Sequence, residues 1–198
     1  MHYPDRMPGA RIDDAEITQL ALAAGRGDRA AAGALVAATQ SDLLRFLTYL
    51  VGAGIAEDLA QETYLRAMRA LPSFAGLSSA RTWLMSIARR TAVDHIRTAT
   101  RRPRLANLTD WQSAAEAAPG QRQGGFEDGV LLADLIRALP DERREAFVAT
   151  QLLGMSYEEA AEVCECPIGT IRSRVARARG DLAAALGDAG GGRARRIG

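Results

Sequence analysis

Four arginines, Arg172, Arg174, Arg177 and Arg179, fall within the stretch Ile168–Arg179, which carries no acidic residue. Guanidinium groups at that density bind polyanions, because each presents a planar fork that matches a phosphate or the edge of a guanine. Ile168, Ile171, Val175, Ala178 and Leu182 recur at helical spacing and predict one apolar stripe. At about 100° per residue the opposite side is centred on Thr170, Ser173 and Arg177, flanked by Arg174. These four are the candidates for base edges and phosphates. Arg172 and Arg179 lie nearer the packed boundary and suit phosphates.

The segment before this helix explains how it is held. Ser156 with Glu159 three residues on is a capping box, so a helix starts there. Tyr157, Ala160, Ala161 and Cys164 share one face, and Cys164-Glu165-Cys166-Pro167 forms a turn. Two helices joined by a short turn, with small alanines at the crossing, read as a helix-turn-helix whose second helix enters a DNA major groove. An arginine face on an isolated helix is usually only solvated; the capped helix and turn before it favour DNA binding.

Other chemistry finds little support. Cys164 and Cys166 lack the further ligands that a structural zinc site needs, so Cys164 reads as a core thiol. Asp94 and His95 are adjacent and diverge around a helix. No carboxylate cluster, metal-ligand set or activated nucleophile stands out, so no enzyme activity, metal or cofactor is expected.

The bulk composition agrees with helices. Hydrophobic residues make up 47% of the 198-residue chain and aromatics 5%, so Ala, Leu, Val and Ile must build the cores. All 25 basic residues are Arg, as an arginine-favouring GC-rich genome would produce. The net charge of +1 hides a polarity: Asp13 to Leu65 holds eight acids and three Arg, whereas Arg81 to Arg104 holds seven Arg and one Asp. Two kinds of partner are implied, one of them a polyanion. Two cysteines, no signal peptide and no bilayer-length apolar run point to a cytoplasmic protein with no membrane insertion.

The elements follow from periodicity and punctuation. Residues 1–12 read as disordered. Helices are expected over 14–24, 28–39, 41–51 (capped by Ser41 or Asp42), 56–71 and 80–100, with a break at Gly52-Ala53-Gly54 and a loop from Pro72 to Ser79. The Gly- and Pro-containing stretch 103–126 reads as a linker. A second unit over 127–186 holds a helix to Leu139, a helix from Asp141 to Leu153, and the helix-turn-helix; residues 187–198 read as a disordered Gly/Arg tail. The fold class is all-α: two small helical domains, residues 13–102 and 127–186, joined by a flexible linker.

In the helix from Ala56, the packed face is Leu59, Ala60, Thr63, Tyr64, Ala67 and Leu71. Glu57, Asp58, Gln61, Glu62 and Arg69 lie opposite, with Leu65 in their middle. An apolar residue centred in a charged face suits a docking patch, although single exposed leucines are common. In the helix from Ala80, Leu84, Ile87, Ala88 and Thr91 face inward. Ser86, Arg90 and Arg97 share the other side, with Arg89 nearby, and form a track for phosphates and single strands. Trp83 either stacks on an unpaired base or fills the core, with the core favoured.

Three strings carry a family resemblance: Glu57-Asp58-Leu59-Ala60-Gln61-Glu62-Thr63-Tyr64-Leu65-Arg66-Ala67, Arg81-Thr82-Trp83-Leu84-Met85-Ser86-Ile87-Ala88-Arg89, and Gly169-Thr170-Ile171-Arg172-Ser173-Arg174. In this order and spacing the chain resembles an extracytoplasmic-function (group 4) sigma factor of bacterial RNA polymerase, with an actinobacterial cast. The resemblance covers about residues 14–102 and 128–186. It implies a transcription initiation factor with a first domain that docks on the clamp helices of the largest polymerase subunit through Asp58, Gln61, Glu62 and Leu65. That domain would capture the −10 non-template strand with Phe74, Gly76, Ser78, Ser79, Trp83, Ser86, Arg89, Arg90 and Arg97. The loop residues would form a pocket for a flipped base, with Phe74 as its stacking platform. The second domain would read −35 duplex with Thr170, Arg172, Ser173, Arg174 and Arg177, beside the flap of the second-largest subunit. An anti-sigma factor is a possible further partner.

The chain departs from the family pattern at three places. Glu165 stands in the turn where the family usually has Gly and a positive φ is wanted, at a cost of about 1 kcal/mol. Ala80 stands where an aromatic is frequent, and Arg90 where Asn is frequent. The alternative, an autonomous helix-turn-helix regulator, leaves Asp58 to Leu65 and the following loop without a task.

Overall fold

The computed structural model describes residues 13–101 and 126–194, and among these every regular element is helical. The expected disordered N-terminus and nearly all of the expected linker lie outside the described residues. No helix among the described residues is long and apolar enough to cross a membrane.

The first unit holds α1 (Asp14–Gly25), α2 (Arg29–Val51), α3 (Ala53–Ala70), a 3-10 turn (Leu71–Ser73) and α4 (Ala80–Arg101). Asp13 and Asp28 cap α1 and α2 through their carboxylates. The two helices expected over 28–39 and 41–51 are one. Nothing breaks the chain between them: the Thr39 hydroxyl donates to the Leu35 carbonyl at 2.8 Å and pairs with the Tyr64 hydroxyl at 2.9 Å. Asp42 is not a cap either, because Arg81 of α4 holds its carboxylate at 2.7 and 3.0 Å. Gly52, with φ of 91°, turns α2 directly into α3, which therefore starts at Ala53 and not near Ala56.

The second unit holds α5 (Phe126–Ala138), α6 (Asp141–Phe147), a π turn (Val148–Leu152), α7 (Tyr157–Cys164) and α8 (Ile168–Ala194). The helix expected from Asp141 to Leu153 thus widens in its last turn, where the Leu153 amide donates to the Val148 carbonyl. α8 runs past the expected boundary at Leu186. Extending a helix that is already nucleated costs far less than starting one.

Among the described residues, two apolar clusters organise the fold. Ile17, Ala21, Leu35, Leu71 and Ala80 form a small core under α1, with Phe74 and Trp83 against it. A larger cluster crosses between the units: Phe46, Leu50, Met85, Ala88 and Ala92 of the first join Ile136, Leu139, Val148 and Val163 of the second. α7 packs along α4, while α5, α6 and the π turn lie against α2.

Candidate nucleic-acid interface

The helix-turn-helix is built as its sequence predicts. The Glu159 amide donates to Ser156 Oγ at 3.1 Å, and the Ser156 amide donates to Glu159 Oε2 at 2.8 Å. Glu165 adopts φ 52° and ψ 45°, the left-handed conformation, so that its amide and that of Cys166 close α7 on the Glu162 and Ala161 carbonyls. Ile171, Val175, Ala178 and Leu182 are buried, whereas Ile168 is only half-buried. Cys164 is buried, and desolvation pushes its thiol up to about 12.

The outward side of α8 exposes Arg172, Ser173 and Arg177, with Thr170 half-buried beside them. Arg174 stands apart from this group. It is drawn back to Glu142 at 2.7 Å and donates to Cys166 Sγ at 3.5 Å, with 16% of its side chain exposed. Arg179 donates to Gln151 at 2.7 Å.

The loop before α4 is pinned from several sides. Phe74 and Trp83 stack with centroids 4.8 Å apart, and both pack on the small core. Gly76 has φ of 70°, a conformation that a side chain would strain. Ser79 Oγ accepts from the Thr82 amide and donates to the Thr82 hydroxyl, which caps α4. Ala80, where the family frequently has an aromatic, is buried, and its amide donates to Thr18 Oγ1 at 3.0 Å. Ser78 is half-buried and Leu77 projects fully outward.

Along α4 the candidate residues divide. Ser86 Oγ donates to the Thr82 carbonyl of its own helix, and Arg97 lies on the exposed surface. Arg89 and Arg90 instead face the second unit. Arg89 Nε donates to Glu145 Oε2 at 2.8 Å, and Arg90 holds Glu165 Oε1 at 2.7 Å through Nε and at 2.6 Å through Nη2. Burial, the largest single effect, works to lower the Arg89 pKa, but the hydrogen bond and charge of Glu145 together with neighbouring charges, Glu165 among them, outweigh it and the net shift is upward. The bond and charge of Arg90 hold the Glu165 carboxyl below its ordinary range. Sequence reasoning missed Glu145, Glu159 and Glu165 as partners of α4. One signal was available: Arg90 and Glu165 are both departures from the family pattern.

On α3, Asp58, Gln61 and Leu65 are exposed, Leu65 by 55%. Glu62 is tied to Arg66 at 2.8 Å, and Arg66 also reaches Asp94 at 3.4 Å. Beside Leu65 runs an apolar groove of about 490 Å³, lined by Ala32, Gly33, Val36, Gln61, Tyr64, Leu65 and Met68.

Comparison with known proteins accounts for both units. Residues 35–102 match Sigma-70 region 2, and residues 130–182 match Sigma-70 region 4. The chain is 49% identical to the ECF RNA polymerase sigma factor SigC of Mycobacterium tuberculosis, over 90% of this chain and 95% of that one. It is 34% identical to the ECF RNA polymerase sigma-E factor of Escherichia coli K12, over 78% and 85%. Among solved structures it resembles the sigma factor RpoE bound to the anti-sigma factor NepR from Bartonella quintana, with a TM-score of 0.61 and 32% identity over 72% of this chain and 89% of that one. CnrH in complex with the cytosolic domain of CnrY gives a TM-score of 0.66 and 26% identity, covering 89% of this chain and 99% of that one. Both matched regions are parts of one class of protein, the bacterial transcription initiation factors. The chain belongs to the sigma-70 family, in its extracytoplasmic-function branch. An autonomous regulator would account only for the second unit.

Proposed function

We propose that the chain brings core RNA polymerase to promoters through three surfaces. The exposed α3 face, with Asp58, Gln61, Glu62 and Leu65, docks on the clamp helices of the largest subunit, and the second unit sits beside the flap. The loop from Phe74 to Ser79 and the outer side of α4 take the −10 non-template strand and stabilise the opened promoter. Thr170, Arg172, Ser173 and Arg177 read −35 duplex, and Arg174 joins them once released from Glu142. The factor works in the cytoplasm, where transcription takes place, and an anti-sigma factor can regulate it, as NepR is bound to RpoE.

Leu65 carries the docking assignment. A leucine 55% exposed in a charged face, beside an apolar groove, is suited to burial against a partner. Leu65→Asp should weaken binding to core polymerase by about 30-fold or more, the scale of a hot-spot residue. Fluorescence anisotropy with labelled protein and purified core polymerase measures this. Unchanged affinity would remove α3 from the docking surface.

A further inference from the structure

The turn of the helix-turn-helix holds two thiols for which promoter reading has no use. Cys164 is the last residue of α7 and is buried in the cluster that also holds Ile171 and Val175 of α8. Cys166 follows one residue beyond Glu165, half-buried, and packs against the same cluster. Both thiols are free. Glu165 sets the distance between them. Its φ of 52° and ψ of 45° mirror those of an α-helical residue. The Cα atoms on either side of such a residue stand as far apart as residues i and i+2 of an α-helix, about 5.4 Å from its radius, rise and turn. That lies inside the ~4.4–6.8 Å that a disulfide spans.

The two sulfurs differ in setting. Arg174 Nη1 donates to Cys166 Sγ at 3.5 Å. A half-exposed sulfur beside a guanidinium is where thiols meet oxidants. Cys164 is shielded from direct attack, and burial pushes its thiol up to about 12. It suits a second step, because a thiol of high pKa is a strong nucleophile once ionised. Arg174 ties this chemistry to the reading helix. The same guanidinium holds Glu142 at 2.7 Å, and it belongs to α8, which bears Arg172, Ser173 and Arg177.

We propose that Cys164 and Cys166 are a redox-modified pair: a hydroperoxide closes them to a disulfide, and closure loosens the seat of α8. In the first step Cys166 sulfur attacks the peroxide. An S–O bond forms, the O–O bond breaks, and the leaving alkoxide or hydroxide takes up the thiol proton. In the second step Cys164 sulfur attacks the Cys166 sulfenic acid. An S–S bond forms, the S–O bond breaks, and hydroxide leaves with the Cys164 proton as water. Two thiols lose two electrons and one hydroperoxide gains them. Bridging draws Cys164 out of the cluster that seats Ile171 and takes the Cys166 sulfur from Arg174. In the cytoplasm such a bond is transient and serves as a signal. The consequence for promoters rests on −35 reading by α8.

The test treats the full chain with hydrogen peroxide and removes the excess by desalting. Tryptic digestion without reductant and mass spectrometry read the peptide from Glu145 to Arg172, which holds both cysteines. It should be two hydrogens lighter than the dithiol. Amide hydrogen exchange over α7 and the first turns of α8 should quicken. In run-off transcription with untreated core polymerase, transcripts should fall about tenfold, the worth of one lost base contact, and return with dithiothreitol. Cys166→Ser should keep its transcripts and its exchange rates under peroxide. Cys164→Ala should stop at the sulfenic acid, trapped by dimedone; if it fails to fold, Cys166→Ser still decides. Cysteines that gain oxygen without bridging, or a bridge that leaves exchange or transcription unchanged, would overturn the inference. Absence of transcripts even from the reduced chain would instead remove the promoter-directing role, and the peptide mass and exchange rates would still decide the thiol pair.

Discussion

At Glu165 a backbone demand and a side-chain demand oppose each other. The turn wants a residue that tolerates positive φ, while the carboxylate is wanted by Arg90. The bond to Arg90 lowers the Glu165 pKa in the folded chain. A depressed carboxylate pKa contributes stability above the ordinary value of 4.5, and that contribution is lost as pH falls through the folded value. Carbon-detected NMR titration should therefore place the Glu165 midpoint below 4.5, and Arg90→Ala should return it to the ordinary range. A midpoint that Arg90→Ala does not move would deny the contact in solution. Cys164 offers a second test at this scale. With its thiol pushed to about 12 and its side chain buried, it carries almost no thiolate at pH 8. Timed iodoacetamide labelling read by mass spectrometry should modify half-buried Cys166 well before Cys164. Equal rates would contradict the packing of α7.

The elements show which sequence signals were sufficient. The capping box at Ser156, the stripe from Ile171 to Leu182 and the exposed Leu65 were legible because each depends on neighbours within one or two helical turns. Ser41 and Asp42 misled for the same reason: they look like caps locally, but the chain before them is already helical and Arg81 takes Asp42. The pairing of Arg89 with Glu145 was not legible, since no local pattern joins residues so far apart in sequence. The same physics makes element stability testable. Ser156→Ala removes one half of the capping box and should cost about 1 kcal/mol in urea unfolding. Gly25 sits where an added Cβ would come within 2.6 Å of the Leu71 carbonyl oxygen. Gly25→Ala should therefore destabilise the first unit by about 1–3 kcal/mol, as overpacking does. A loss of less than about 0.5 kcal/mol would mean that α1 and the 3-10 turn can separate freely.

For the whole molecule, the sorting of charge along the sequence acquires a structural meaning. The arginine-rich α4 meets Glu145, Glu159 and Glu165 of the second unit, while Arg172 and Arg177 of α8 remain on the outside. One arginine-bearing surface is thus exposed and another is covered by the chain itself. The α3 face proposed for docking, around Leu65, is exposed in the same arrangement.

The most direct measurement of this account is run-off transcription from a pool of genomic promoters with core RNA polymerase, with and without the protein. Specific transcripts should appear only when the protein is added, and Leu65→Asp should abolish them while leaving the fold intact. Transcripts that are independent of the protein, or none at all alongside tight duplex binding by the protein alone, would contradict the promoter-directing function argued here.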